Sequence, residues 1–273
     1  MAKTKDETQN FIVKLKTDIR RIAASQMTQM EARYLVDSYY QIQELRKAIA
    51  NQVKSLCKND EPNALLTILE DNFRTLENEI KKALGDYAQN NPVGRWAMSI
   101  VGIGPIISAG LLAHVDIEKA PTVGHIYSFA GLNPGTKWEK GQKRPWNADL
   151  KVLCWHIGQS FRKVHNNPND IYGKVYKERK DLEIAKNEEK AYVEQAVDKL
   201  KKFKIGKDTT AYEYYSKGQL PPGHIDQRAQ RYATKLFLAH WHEVAYREKY
   251  GKKPPLPYPI AFQDHAHKIN VPQ

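Results

Sequence analysis

The first residues that could do chemistry are Gly102-Ile103-Gly104-Pro105, followed at once by the apolar run Ile106-Ile107-Ser108-Ala109-Gly110-Leu111-Leu112. Glycine admits the backbone angles of a tight turn and the close approach of a second backbone. Proline fits the first turn of a helix, where its missing N–H leaves nothing unsatisfied. The N–H groups of a helix start point outward and favour an anion. The pattern predicts a hairpin between two helices that holds a phosphate through the main chain of Gly102, Ile103, Gly104 and Ile106. An ordinary glycine turn between two packed helices would show the same local pattern.

A second group follows in Thr136-Lys137-Trp138-Glu139-Lys140-Gly141-Gln142-Lys143-Arg144-Pro145-Trp146-Asn147. Cations here can meet phosphates, and indoles can stack on bases or brace the loop. Lys137, Trp138, Lys140, Lys143, Arg144, Trp146 and Lys151, on the helix that comes next, are the expected contact residues. A solvated basic loop anchored by its tryptophans is the plain alternative.

Other constellations carry less chemistry. His240-Trp241-His242 and His265-Ala266-His267 supply four imidazoles that could ligate a transition metal. The first pair falls on an expected helix, where neighbours two apart point about 200° from each other and chelate one ion poorly. His240 also lies on an apolar stripe, which suits a hydrogen-bonded core histidine. Asp181, Glu183, Glu188 and Glu189 sit among Lys177, Arg179 and Lys186, so pairing along a charged helix is the expectation. Ser160 and His156 lie one turn apart, as such pairs do on any long helix. There is no P-loop, no dinucleotide-binding glycine run and no HExxH. No catalytic residue, metal site or cofactor is expected.

The elements that position these residues read as all-α. The stripe Leu35, Tyr39, Ile42, Leu45, Ile49, Val53, Leu56 predicts a helix within residues 8–57. Pro62 breaks it, and Leu66, Leu69, Phe73, Leu76, Ile80, Leu84, Tyr87 make a second stripe. Two such stripes suggest a helical hairpin or a coiled coil that joins two copies of the chain. Short helices are expected over 108–115 and from Pro121, then another from Leu150 to Phe161. A charged helix from Tyr172 to about Phe203 would span roughly 45 Å. A strong final helix covers Ile225 to Tyr250. The expected division is an arm over 1–92, a helix-hairpin-helix core over 93–170 and a charged helical region over 171–273.

The charge points to a partner. The chain of 273 residues carries a net charge of +12. Residues 137–180 alone hold eleven basic and four acidic side chains. A basic stretch of this kind is the electrostatic footprint of nucleic acid, with duplex DNA first and RNA second. No apolar run approaches the roughly 20 residues that span a bilayer, so no membrane partner is expected. The N-terminus lacks the apolar core of a secretory signal. Cys57 and Cys154 form no CxxC pair and are expected as buried free thiols in a reducing cytoplasm, near the nucleoid if DNA is bound.

The order of these parts resembles a known family. Trp96–Leu112, Phe129-Ala130-Gly131-Leu132-Asn133-Pro134, the Gly/Lys-rich loop and the helix from Asn147 to Phe161 are similar to the C-terminal transposase domain of DEDD-type, bridge-RNA-guided insertion-sequence transposases. The resemblance covers roughly residues 60–165. The stretch from Tyr212 to Tyr250 and the His-Ala-His tail resemble stand-alone transposase-like proteins of mobile elements. The resemblance implies DNA handling, with acidic catalytic residues in an RNase-H-like domain and a serine nucleophile after the Ala-Gly-Leu-x-Pro segment. Residues 1–90 offer no strand carrying an aspartate. The loop Gly135–Gly141 has no serine; the nearest are Ser128 and Ser160, with Thr136 a weak substitute. The expected function is therefore nucleic-acid binding by a transposase-derived protein. An active recombinase or nuclease is the first alternative and a dimerising structural protein the second.

Overall fold

A computed structural model describes residues 27–256 and 269–272, and among these it contains ten α-helices and no strand. The fold is all-α. The helices gather into two compact units.

The first unit takes the described residues up to Ser99 together with Ile103–Lys119. Its helices are α1 (Gln29–Lys58), α2 (Ala64–Gln89), α3 (Pro92–Ser99) and α4 (Pro105–His114). A capping box opens α1: the Thr28 hydroxyl accepts from the Glu31 N–H, and the Glu31 carboxylate accepts from the Thr28 N–H at 2.8 Å. The expected helix residues 8–26 lie outside the described residues. Helices α1 and α2 form the anticipated hairpin and close on α4. Ala32, Val36 and Tyr39 of α1, Ile80, Leu84 and Ala88 of α2, and Ile106, Ala109 and Ala113 of α4 make its core. Glu77 ties the hairpin across, accepting from Arg46 at 2.5 Å and Gln43 at 2.9 Å. Burial opposes ionisation of Glu77, but these bonds outweigh it and hold the carboxyl below its ordinary range. The apolar stripes are buried only near α4. Farther out, Leu45 and Leu69 are exposed, since no third helix among the described residues covers them there.

The second unit takes Ile100–Gly102 and the described residues from Ala120 onward. Its helices are α5 (Val123–Phe129), α6 (Ala148–Val164), α7 (Tyr172–Glu188), α8 (Val193–Lys202), α9 (Thr210–Ser216) and α10 (Pro222–Tyr250). Helix α10 is the spine, with α5, α6 and α7 laid against it. Phe161 of α6 stacks on Tyr172 of α7 at 5.0 Å, and Phe237 of α10 meets Tyr172 edge-on at 5.3 Å. His240 is a core histidine as anticipated. Its Nδ1 lies 2.7 Å from the Tyr172 hydroxyl, and its Nε2 lies 2.9 Å from the Ile269 carbonyl.

The long charged helix is corrected in its continuity. It ends at Glu188 and restarts at Val193, with Lys190 in the left-handed region between. Asn187 causes the turn by pairing with the backbone of Leu220, donating at 3.0 Å and accepting at 2.8 Å. This lets Tyr192 and Ala196 pack with Tyr215, Leu220 and Ile225. Most of α7 is exposed, but its inner face carries a buried charge. Asp181, Glu188 and Glu189 face solvent, but Glu183 is 1% exposed. Its carboxylate accepts from Arg179 of its own helix, from Arg228 of α10 at 2.6 Å and from the Tyr192 hydroxyl at 2.5 Å. One turn back, Asp226 of α10 accepts from Tyr176 and pairs with Lys180 at 3.0 Å. A charged pattern therefore hides two buried carboxylates that join α7 to α10.

Burial alone would raise the Glu183 pKa, yet the bonds from Arg228, Tyr192 and Arg179 hold it at about 2. A depressed carboxyl pKa stabilises the fold above its ordinary value near 4.5, and this contribution is lost as pH falls toward 2. At about 1.4 kcal/mol per unit the loss is on the order of 3 kcal/mol. Stability measured by denaturant should be level above about pH 5 and fall steeply below it. Glu183→Gln should lower stability at neutral pH by about 3 kcal/mol and flatten the acid limb. An unchanged acid limb in that variant would count against the clamp.

Candidate nucleic-acid interface

The turn from Ile100 to Gly104 needs one special glycine. Gly102 has φ +92, and a Cβ there would meet Val164 at 3.1 Å and the Ser160 hydroxyl oxygen at 3.2 Å. Ser160 donates to the Gly102 carbonyl, which gives this serine a structural partner. Gly104 departs from expectation. Its backbone is extended (φ −99, ψ −179), and nothing lies within 4 Å of a Cβ placed there.

Gly104 is the N-cap of α4, and Pro105 follows at the first helical position. Gly104 has no side chain with which to cap this helix start. Ile103 and Ile106 have buried side chains, so they are confined to main-chain contacts. Beside Pro105 runs an open groove of about 400 Å³ whose walls include Lys81, Lys82 and Met98. Lys82 is paired with Glu79 at 2.9 Å.

The basic loop is held at its base and across its middle. The Asn147 N–H donates to the Phe129 carbonyl at 2.8 Å, and the Asn147 side chain caps α6 by accepting from the Leu150 N–H at 2.7 Å. Trp146 is a brace. Its indole lies on Gly131, whose φ is +64 and whose Cβ, if it had one, would sit 2.7 Å from the ring. Trp138 donates its indole N–H to the Gln142 carbonyl at 2.8 Å and keeps 38% of its surface exposed. The Arg144 guanidinium lies 5.2 Å from the centre of the Trp138 ring, and the Lys151 ammonium lies 4.1 Å from that of Trp146.

Lys137, Lys140, Lys143, Arg144 and Lys151 are all exposed. None of the five pairs with a carboxylate among the described residues. Burial first, then the charges of Arg144 and Arg231, lower the Lys151 pKa. Arg231 of α10 thus joins the cluster. Its sequence position, 80 residues beyond Lys151, carries no signal of this; only the packing of α10 on α6 does so.

The remaining chemical groups are committed elsewhere. Ser128 accepts from Asn133 at 2.6 Å, and His242 Nε2 lies 2.7 Å from the Ala120 carbonyl. His265 and His267 lie outside the described residues. Among the described residues no three His, Cys, Asp or Glu side chains converge as a metal site would require. Cys154 is buried as expected, with its thiol pushed up to about 12 by burial, whereas Cys57 is exposed because it falls near the open end of the arm.

Residues 94–144 match the family model described as the transposase IS116/IS110/IS902 family. This stretch is transposase-like. It runs from α3 through the hairpin, α4 and α5 to Arg144 of the basic loop, about a fifth of the chain. No curated protein and no solved structure matches the chain. No described helix is long and apolar enough to cross a membrane.

Gly131, which faces tight space and a positive φ, separates cleanly from Gly104. Gly131→Ala should displace the Trp146 indole and cost about 1–2 kcal/mol or more, since an alanine resists a left-handed backbone. Gly104→Ala should change stability by less than about 0.5 kcal/mol. Thermal unfolding with near-ultraviolet circular dichroism reads both; equal losses at the two sites would contradict this geometry.

Proposed function

We propose that the protein is a transposase-derived nucleic-acid-binding protein that holds the phosphate backbone of duplex DNA. Two elements make the contact: the main chain around Gly102, Ile103, Gly104 and Ile106, acting as a helix-hairpin-helix, and the loop bearing Lys137, Trp138, Lys140, Lys143, Arg144 and Trp146, with Lys151 behind it. The observation that carries this reading is the set of five exposed cations without carboxylate partners among the described residues. Surface lysines and arginines normally sit among carboxylates of opposite sign. A one-sign cluster repels itself and is relieved by a polyanion. The transposase-like match over 94–144 supports nucleic acid as that polyanion. The start of α4 adds main-chain donors of the right polarity. Exposed Trp138 offers an aromatic face for a sugar or base, while Trp146 works by keeping the loop in place.

In the same reading the arm joins two copies of the chain. Leu65, Ile68 and Leu69, exposed on the outer part of α2, support this. Sedimentation at the mass of one chain would remove it.

Binding to duplex DNA should weaken with salt along a log–log line. Each phosphate contacted contributes a slope of about −0.9. Reversing Lys140, Lys143 and Arg144 together to Glu should leave stability within about 0.5 kcal/mol, because all three are exposed. Affinity should nevertheless drop more than about tenfold, and the slope should become shallower by roughly three phosphates. A folded triple variant with parental affinity and slope would remove the loop from the interface.

A further inference from the structure

Helices α6 and α10 leave a small cleft between them, with a volume of about 130 Å³. It is lined by Leu132, Lys151, Cys154, Trp155, Gln227 and Arg231, among others. Four properties of this lining point the same way. The volume is close to the roughly 150 Å³ that encloses a single benzene ring. Trp155 lines the cleft and is 49% exposed, so part of a large aromatic side chain stands open there. The buried Cys154 thiol stays protonated and makes the floor neutral. Among the described residues no carboxylate lines the cleft, whereas Lys151 and Arg231 do.

The polar groups are arranged unequally. The Gln230 amide is committed, accepting from Gln159 at 3.0 Å and donating to Asp226 at 2.6 Å. The neighbouring Gln227 amide makes no hydrogen bond among the described residues. A carboxamide offers a donor and an acceptor side by side. That is the complement of the hydrogen-bonding edge of a nucleobase, which an enzyme or binding protein reads when the base is out of the stack.

We propose that this cleft takes one unpaired pyrimidine base, stacked on the Trp155 indole, with the Gln227 amide on its hydrogen-bonding edge and Lys151 and Arg231 on the flanking phosphates. The proposal rests on the nucleic-acid-binding reading above and adds to it a preference for DNA that carries an unpaired single-ring base. A purine, with two fused rings, needs more room than a single ring.

The test uses the full chain and four duplexes of equal length: fully paired, with one extra unpaired thymidine, with one extra unpaired adenosine, and with an abasic residue in that same place. The parent should bind the thymidine duplex about tenfold more tightly than the paired and abasic ones, as expected for one base stacked on an aromatic side chain. The adenosine duplex should gain clearly less. Trp155→Ala should abolish the thymidine preference while leaving affinity for the paired duplex unchanged, and Trp155→Phe should restore much of it. Circular dichroism establishes that both variants fold, which the exposure of Trp155 favours. Equal binding of all four duplexes, with the salt dependence intact, would overturn the cleft proposal and leave DNA binding standing. So would a thymidine preference that survives Trp155→Ala. Binding of none of the four would overturn the DNA-binding reading itself, and the cleft with it.

Discussion

The second unit depends on one buried carboxylate. Glu183 draws a guanidinium from its own helix, a second from α10 and a phenol from the start of α8 onto two oxygens. Taking a carboxylate out of water is costly unless its lone pairs are filled, and here hydrogen bonds fill them. Asp226 repeats the device with the roles reversed, an acid on α10 drawing Tyr176 and Lys180 from α7. Together they set how α7 lies along the spine. Non-directional apolar packing of Phe161, Tyr172 and Phe237 then fills the space between α6, α7 and α10.

That arrangement has an electrostatic consequence. Arg228 is drawn inward to Glu183, whereas Arg231, less than one turn later on α10, faces outward and is exposed. Arg231 then stands near Lys151 of α6, and Arg144 approaches from the loop. Three cations share one neighbourhood, and burial first, then the charges of Arg144 and Arg231, lower the Lys151 pKa. Such a cluster adds nothing to the stability of the isolated chain. The aromatic core holds α6 against α7 and α10, and the carboxylate clamps hold α7 to α10, independently of it. A phosphate arriving there would relieve repulsion as well as form an ion pair, which is the basis of the proposed polyanion contact.

Much of the architecture was legible from periodicity. The helical hairpin, the buried short helix after the glycines and the final helix all follow from apolar stripes, and the turn at Gly102 from local chemistry. What was not legible has physical causes. Glu183 looks like one more surface charge, because its partner Arg228 is 45 residues away and no local pattern marks the pair. The break after Glu188 depends on Asn187 reaching Leu220, again a tertiary contact. Trp138 and Trp146 look alike in sequence, yet Gly131 lies beneath one of them and makes it a brace. Gly104 looks like Gly102, but its backbone is one any residue adopts.

The central claim is that the start of α4 and the basic loop meet the phosphate backbone. Hydrogen–deuterium exchange on the full chain, with and without saturating duplex DNA at low salt, tests it most directly. Amides at the helix start, in residues 104–108, and in the loop, residues 136–147, should exchange more slowly when duplex is present. Those at the outer end of the arm, around residues 56–66, should not change. Protection confined to the arm, or unchanged exchange across both the helix start and the loop while DNA is bound, would contradict the account.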